Sequence, residues 1–415
     1  MASQINASNS GFGGIVSTGD SSGVLQLQTV GTTAVTIDTS QNTTLAGKLT
    51  TASSGIQFSD ASIQTAAASP YVLKNRIING AMVIDQRYAG AATANSINDY
   101  TVDRWSVLQS VIGKLIAQQN AAAVTPPTGF SYYLGVTSQS SYSVLTGDYY
   151  MIRQPIEGYN VADLGFGTAN AKTVTLSFWV RSSLTGTFGG SLRNSAGDRN
   201  YPFTYTISVA NTWELKSVTI AGDTTGTWLT TNGIGLIVQF GLGVGSTYSG
   251  AAGAWTSTLL VSATGAVSVV GTNGATFYIT GVQLEIGSTA TPFERRLYNQ
   301  ELANCQRYCY VDTGANCFVG GAAANSTNMY IKYVLPVPMR GTPTLSFVSS
   351  GANQLVMSDQ YVADFAATTP TVATAPNVAN HSGRVQLGGF TGLTTGRWYG
   401  GAPNTSAQSI FSAEL

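Results

Sequence analysis

Charge is the scarcest property of this sequence. Only 9% of its 415 residues are Asp, Glu, Lys or Arg, where an average chain carries about 25%. The 19 basic and 19 acidic residues cancel, and no basic tract is present, so the sequence argues against a nucleic-acid partner. A net charge near zero favours self-association, which indicates that part of the surface is used in assembly.

Histidine, cysteine and long apolar runs are scarce as well. His381 is the single histidine, and the three cysteines, Cys305, Cys309 and Cys317, are too few and too clustered for a disulfide-stapled secreted domain. No basic segment followed by an apolar run opens the chain, so no signal peptide is predicted. The longest apolar stretch, "WTSTLLVSATGAVSVVG", is interrupted and too short to span a bilayer. We therefore expect folding in a reducing cytoplasm without membrane insertion.

Glycine and aromatic residues are abundant instead. The chain has 47 Gly, 20 Tyr and 15 Phe, a mixture typical of short strands joined by turns. We therefore predict an all-β protein. Its expected parts are an N-terminal intertwined arm or shaft (1–70), a central jelly-roll β-sandwich (71–290), a short helical joint (291–310) and a C-terminal β-sandwich tip (311–415).

The first 70 residues differ from the rest of the chain. They contain four charged residues and short apolar alternations such as "GVLQLQ" and "AVTIDTS", separated by turn-forming residues. One copy of such a segment cannot bury enough apolar surface to offset the entropy lost on ordering. The segment is therefore either disordered or wound together with other copies of the chain, and the alternation favours winding.

The central block reads as about nine strands over roughly 220 residues, which suggests two packed sheets. Its first predicted strand is "NRIINGAMVIDQR" and its last is "ATFYITGVQLE". In "DRW", Asp103 and Arg104 are interpreted as an ion pair at a strand start. After the helix, "NMYIKYVLPVPM", "GRVQLGGF" and "SIFSAEL" again read as short strands.

A single helix is expected between the two β regions. In "TPFE", Thr291 is predicted as N-cap, Pro292 as the first helical residue and Glu294 as the acid of a capping box. Tyr298, Leu302, Cys305 and Cys309 then form one apolar stripe. The helix is interpreted as a joint that packs against its neighbours or against symmetry-related copies.

Several stretches together resemble phage tail-fibre and receptor-binding proteins that carry a carbohydrate-binding-module-like jelly roll. The stretches are "NRIINGAMVIDQRYAG", "DYTVDRWSV", "YYMIRQPIEGYNVADLGFG", "GATFYITGVQLEIGSTATPFERRLYNQELANCQRY", "YVLPVPMRGTPTLS" and, upstream, "SGIQFSDASIQTAAA". The resemblance implies a homotrimeric virion fibre whose N-terminus binds a virion adaptor, tail or capsid protein and whose distal domains touch the host. It identifies no invariant ligand-binding residues.

Catalysis and metal binding are not predicted. His381 lies in a turn without a nucleophile motif nearby, and Cys305, Cys309 and Cys317 lack a fourth ligand with metal-site spacing. The turns "GDTTGT" and "NSAGDRN" lack the acidic density of a calcium loop. Paired carboxylates of a polysaccharide depolymerase stay open as an alternative, with these candidates: Asp85, Asp99, Asp103, Asp148, Glu157, Asp163 and Glu214.

Glycan binding fits the sequence best. Sugars stack on exposed aromatic rings and accept hydrogen bonds from polar side chains, and the Gly-rich stretch "HSGRVQLGGFTGLTTGRWYGG" offers His381, Arg397, Trp398 and Tyr399. Burial of Trp398 in a core strand is the competing interpretation. Weaker candidates in the central block are Tyr142, Tyr149 and Tyr201.

The sequence therefore predicts a non-enzymatic, trimeric phage fibre without a cofactor. It is expected to assemble in the host cytoplasm, to become part of the virion and to adsorb to a bacterial surface polysaccharide. Two alternatives stay open: a structural fibre, decoration or head-fibre protein without direct receptor binding, and a depolymerase.

Overall fold

The computed structural model of the chain is almost entirely β-structure, which confirms the all-β prediction. It describes residues 23–30, 32–46, 56–57, 63–64, 74–93, 97–313, 318–349, 355–358, 364–367, 371–377, 379–402 and 407–415. The chain divides into two compact units, Met1–Val72 and Leu73–Leu415.

The first unit contains a small antiparallel sheet and a short hairpin. The sheet has the order β1-β2-β3, and β4 pairs with β5. Register places Leu25 opposite Ile37, and Leu27 opposite Val35, on one face. In a single chain Leu25 and Leu27 are about half exposed (54% and 49%), so this apolar face is incompletely covered. The strands are β1 Leu25–Thr29, β2 Thr32–Ile37, β3 Thr43–Leu45, β4 Ile56–Gln57 and β5 Ile63–Gln64.

Two large antiparallel sheets form the sandwich of the second unit. One is six-stranded, in the order β13-β12-β15-β10-β7-β6, and the other is five-stranded, in the order β14-β11-β18-β9-β8. The short strands β16 and β17 pair in parallel beside them. The strands are β6 Asn98–Val102, β7 Trp105–Gln109, β8 Leu115–Gln119, β9 Leu134–Ser138, β10 Tyr149–Glu157, β11 Val174–Ser182, β12 Gly186–Arg193, β13 Asn200–Ile207, β14 Glu214–Ile220, β15 Ile234–Val244, β16 Ser249–Gly250, β17 Ser262–Ala263 and β18 Thr276–Ile286. Single 3₁₀ turns are formed by Ala121–Ala123, Gly158–Asn160 and Ala162–Leu164.

Aromatic rings fill the space between the two sheets. Phe178 on β11 meets Phe240 on β15 edge to face, with 4.9 Å between the ring centroids, and Trp105 packs on Phe240 from β7. All three are fully buried. Burying a side chain of this size stabilises the fold by about 2–3 kcal/mol, so these rings fix the separation and the facing of the sheets.

The stretch predicted as the first strand, "NRIINGAMVIDQR", is not a strand. Its backbone is held by side-chain amides and by two isolated backbone hydrogen bonds to β18. Gln154 donates from Nε2 to the Ile78 carbonyl and accepts from the Ile78 N–H, at 2.8 and 2.9 Å. The Asn79 amide likewise bonds both backbone groups of Ile84. These amides bond backbone groups that a continuous strand ladder would otherwise pair.

The helix is shorter than predicted. It is α1, Tyr298–Gln306, and the capping box predicted at Thr291 is wrong. Thr291 Oγ1 donates to Glu285 Oε2 at 2.6 Å, and Glu294 accepts from the N–H of Asn75 at 2.6 Å. Both side chains therefore bond to residues of the sandwich and do not cap the helix. No helix within the described ranges is long and apolar enough to cross a membrane.

The C-terminal region has its own core between two sheets. One sheet has the order β19-β28-β22, and the other has the order β24-β23-β27-β20-β21-β26-β25. Ile331, Tyr333, Leu387 and Phe411 are buried between them. The strands are β19 Cys309–Thr313, β20 Phe318–Ala323, β21 Met329–Val334, β22 Thr344–Ser349, β23 Leu355–Ser358, β24 Asp364–Ala367, β25 Thr371–Asn377, β26 Ser382–Gly388, β27 Trp398–Ala402 and β28 Ala407–Ser412.

Buried charges join the sandwich to this C-terminal region. Glu157 at the end of β10 accepts two hydrogen bonds from Arg307 and one from the Tyr308 hydroxyl, at 2.6–2.8 Å. Arg104 pairs with Glu414, so the predicted Asp103–Arg104 ion pair is wrong. The carboxylate of Asp103 instead accepts from the N–H of Gln86.

Candidate functional site

Of the four residues predicted as a glycan site, Trp398 and Tyr399 lie on β27, Arg397 directly precedes it and His381 directly precedes β26. Trp398 is 59% exposed, whereas Tyr399 is fully buried and meets Phe365 edge to face at 5.0 Å. Neighbouring residues of a strand point to opposite faces, which explains the split. His381 and Arg397 are exposed.

Register separates His381 from Trp398. Trp398 pairs with Ala322, which pairs with Tyr330 of β21. The residue after His381 pairs with Val334 of β21. Tyr330 and Val334 are four residues apart, about 13 Å along the strand. Arg397 is therefore next to Trp398, whereas His381 lies about four residues further along the sheet and is not part of the same site.

A better-formed concavity lies on the outer face of the six-stranded sheet. Along β10, Tyr150 and Ile152 are fully buried in the core, so Tyr149, Met151 and Arg153 point away from it. We call this cavity of about 240 Å³ the outer-face groove. Its lining residues come from β7, β10, β12, β15 and the segment that carries β16 and β17: Leu108, Tyr149, Met151, Arg153, Arg193, Gln239, Tyr248, Leu259 and Val261.

One end of the groove is aromatic and its centre is polar. The rings of Tyr149 and Tyr248 meet at 86° with centroids 5.6 Å apart. Gln239 is fixed by two contacts: its Oε1 accepts from Ser191 Oγ at 3.0 Å, and its Nε2 donates to Met151 Sδ at 3.0 Å. A wall of rings beside fixed polar groups suits a ligand with both apolar and hydroxyl faces.

Two arginines lie in the groove. Arg153 Nε donates to Ser106 Oγ at 3.4 Å, and Arg193 Nη1 donates to the Asn194 carbonyl at 3.1 Å. Burial lowers the pKa of Arg153. Burial and the nearby charge of Arg153 lower the pKa of Arg193 to about 10. These groups give the groove a positive potential.

The candidate depolymerase carboxylates each accept a hydrogen bond inside the fold. Asp148, for example, accepts from the Leu145 N–H and from the Ser110 and Tyr142 hydroxyls. Burial raises the pKa of Asp103 to about 6. The acids so engaged are Asp85, Asp99, Asp103, Asp148, Glu157, Asp163 and Glu214.

Two cysteines of the predicted core stripe are buried as free thiols. Burial raises the pKa of both Cys305 and Cys309, so neither is a ready thiolate ligand. Cys317 lies outside the described residues. Within those residues, no group of three or more His, Cys, Asp or Glu side chains is placed to hold a metal ion.

Sequence reasoning identified one residue of the groove, Tyr149, as a weak candidate. The alternation in "YYMIRQ" could have added Arg153, because it places both side chains on one face. Arg193, Gln239 and Tyr248 lie 40 to 100 residues away along the chain, and their pairing depends on sheet register that the sequence alone does not specify.

Comparisons with known proteins identify solved structures that match about half of the chain. The enzymatically active domain of tailspike protein 4 from bacteriophage CBA120 is 15% identical, has a TM-score of 0.29 and covers 51% of this chain and 21% of its own. TmCBM61 in complex with β-1,4-galactotriose is 9% identical, with a TM-score of 0.25, and covers 52% and 100%. The family 11 carbohydrate-binding module from Clostridium thermocellum, in complex with a mixed-linked tetrasaccharide, is 12% identical, with a TM-score of 0.24, and covers 48% and 99%.

These similarities are too low to assign a family or an activity. The chain spans about a fifth of the tailspike chain that it matches. No family model matches the sequence, and no curated protein matches it.

Proposed function

We propose that this chain is a glycan-binding fibre protein of a phage virion, which adsorbs to a bacterial surface polysaccharide through the outer-face groove. One observation carries the proposal: Tyr149 and Tyr248 form an aromatic wall beside Arg153, Arg193 and Gln239. Rings can stack on the C–H face of a sugar, while the arginines and the amide can bond its hydroxyls. Virion location and assembly in the host cytoplasm rest on the sequence resemblance.

The tip contributes a second surface to this proposal. Of the predicted set His381, Arg397, Trp398 and Tyr399, the ring of Trp398 is open to a ligand, and Arg397 adjoins it in the chain. We therefore propose Trp398 as an auxiliary glycan contact. The ring of Tyr399 supports β27 from the core side, where its hydroxyl accepts from the Thr394 N–H at 2.8 Å.

We propose that the groove binds the glycan without hydrolysing it. The outer-face groove has no carboxylate among its lining residues, and the candidate acids are engaged in hydrogen bonds elsewhere in the fold. A glycosidase of the usual kind needs two carboxyl groups on either side of the scissile bond.

Trimerisation through the first unit completes the proposal. The paired apolar residues of β1–β3 share one face, and several are exposed in a single chain. A second and third copy could cover this face, and the same unit is proposed to hold the virion adaptor, tail or capsid protein. Three groove copies would add avidity to weak single sites.

The test is binding of the full-length protein to a panel of purified bacterial surface polysaccharides, measured by biolayer interferometry. Tyr149→Ala and Tyr248→Ala should each weaken binding about tenfold or more, equivalent to at least ~1.4 kcal/mol. Tyr159→Ala is the matched control, because Tyr159 is 61% exposed and lies away from the groove.

The outcomes separate the three functions. Saturable binding that both groove variants weaken supports the proposal. Release of reducing ends from any polysaccharide indicates a depolymerase instead. If the folded wild type binds neither polysaccharides nor host cells, a structural fibre or decoration role replaces the adsorption role.

A further inference from the structure

Arg153 and Arg193 converge over the centre of the outer-face groove. Register places Arg153 opposite Gln239 on the neighbouring strand, and Arg193 opposite Ile237 on the far side of that strand. Their Cα atoms are thus two strand spacings and two residues apart, about 12 Å. Both belong to the lining of one cavity, so their long side chains reach into the same space.

Neither guanidinium has a carboxylate partner within the part of the chain that the structure describes. Each makes one hydrogen bond to the protein, to a hydroxyl and to a carbonyl, although a guanidinium carries five N–H donors. Arg193 Nε is buried and has no acceptor at all. The two like charges also disfavour each other, and this repulsion adds to burial in lowering the pKa of Arg193.

Most of the other buried or partly buried arginines in this charge-poor chain are paired with a carboxylate. Six others that are buried or partly buried each face a carboxylate, and several of these contacts are hydrogen-bonded at 2.6–3.1 Å. The pairs are Arg76–Asp163, Arg87–Glu414, Arg104–Glu414, Arg199–Asp223, Arg296–Glu301 and Arg307–Glu157. Arg181 and Arg340 are partly buried as well, and they donate to backbone carbonyls without a carboxylate partner among the described residues. What distinguishes the groove is that two such arginines line one cavity.

We infer that the outer-face groove binds an acidic sugar, whose anionic group lies between Arg153 and Arg193. This inference rests on the proposed glycan-binding function and names its substrate class. A carboxylate or phosphate group matches the fork of N–H donors on a guanidinium and can bridge two of them. Tyr149 and Tyr248 then contact the ring of the same sugar. A cavity of about 240 Å³ lies below the usual range for drug-sized ligands, which suits one or two sugar units.

The test uses monosaccharides, because they isolate the anionic group. Binding of galacturonate, galactose and galactose 6-phosphate to the full-length protein is measured by NMR titration at low ionic strength. We expect galacturonate or galactose 6-phosphate to bind at least about tenfold tighter than galactose. The comparison between these two acids distinguishes a carboxylate from a phosphate source.

Three variants separate the inference from a general loss of folding. Arg193→Gln should reduce the preference for the acid to within about twofold while leaving galactose binding in place. It should also raise the melting temperature or leave it unchanged, because an unpaired half-buried charge is removed. Arg193→Lys should keep part of the preference. Arg181→Gln is the control, since Arg181 lies on the five-stranded sheet. It should change neither the preference for the acid nor the melting temperature.

The results distinguish a failure of the acidic-sugar inference from a failure of the proposed glycan-binding function. If the acids and galactose bind equally, and Tyr149→Ala weakens all of them, the acidic-sugar inference falls and the glycan-binding groove stands. If no sugar binds to the folded wild type, both fall. If the acid preference survives Arg193→Gln, the anion is held elsewhere and the inference is overturned.

Discussion

Glu157 is a buried carboxylate that ties the sandwich to the residues after α1. Burial alone would raise its pKa, but hydrogen bonds from Arg307 and Tyr308 outweigh burial and lower the pKa below its ordinary value. A carboxyl group whose pKa is lowered by folding stabilises the native state above its unfolded pKa. That contribution is lost as the pH falls through the folded value.

We therefore predict a pH-dependent cost for Glu157→Gln. At pH 7 the variant should lose about 2–3 kcal/mol of unfolding free energy, because a charge-assisted hydrogen-bond set is removed from a buried site. The difference from wild type should shrink as the pH falls below about 4. Urea unfolding of both proteins at pH 7, 5 and 3 measures it, and the comparison cancels the contributions of other acids.

Tyr308→Phe provides the control for this prediction. It removes one donor but leaves the ionised pair of Glu157 and Arg307, so the loss should be smaller, about 1 kcal/mol. A Glu157→Gln cost that is the same at pH 7 and pH 3 would show that the charge of Glu157 is not what stabilises the contact.

Single residues also show where sequence reasoning reaches its limit. Thr291 and Glu294 have the spacing of a capping box, yet Glu294 binds the backbone of Asn75, 219 residues away. Arg104 follows Asp103 but pairs with Glu414 at the other end of the chain. Local spacing shows which groups are able to bond, and the tertiary fold selects the partner.

At the scale of elements, period-2 alternation predicted strands well where a neighbouring strand exists. It predicted β18, β21, β26 and β28. It failed at "NRIINGAMVIDQR", where the side-chain amides of Gln154 and Asn79 bond backbone groups that a continuous ladder would pair. The outer-face groove needed more than alternation. Its polar groups come from β10, β12 and β15, whose adjacency is a property of the sheet order.

The sheet β1–β3 gives a prediction about assembly. Leu27 pairs with Val35, which pairs with Leu45, on its apolar face, and burying a leucine contributes about 1.5–3 kcal/mol. If this face joins copies of the chain, Leu27→Ser should weaken association at least about tenfold. Sedimentation equilibrium of the full-length protein measures it.

The opposite face of the same sheet supplies the control. Thr44 pairs with Thr36 there and is exposed, so Thr44→Ser should leave the association constant unchanged. Equal association constants for Leu27→Ser and wild type would remove this face from the assembly.

At the scale of the whole molecule, Glu414 connects the two cores of the second unit. Its Oε1 accepts a hydrogen bond from Arg87 Nη2 at 3.1 Å, and its Oε2 forms an ion pair with Arg104, which is fully buried. Glu414→Gln leaves that buried charge unpaired, a change that costs about 3–5 kcal/mol in comparable cases. Calorimetry should then show the C-terminal region melting before the sandwich, as two transitions in place of a merged one. A single transition at the wild-type midpoint would contradict this coupling.

Removing residues 1–70 should separate folding from avidity. The sandwich and the C-terminal region have cores of their own, so the shortened chain should still unfold cooperatively and bind a monosaccharide with unchanged affinity. If the first unit holds three copies together, binding to a polymeric glycan should fall about 10²- to 10⁴-fold, because the sites no longer act together. Loss of cooperative unfolding would refute independent folding of residues 71–415. Undiminished binding to the polymer would show that the first unit does not supply the avidity and would remove it from the proposed trimerisation.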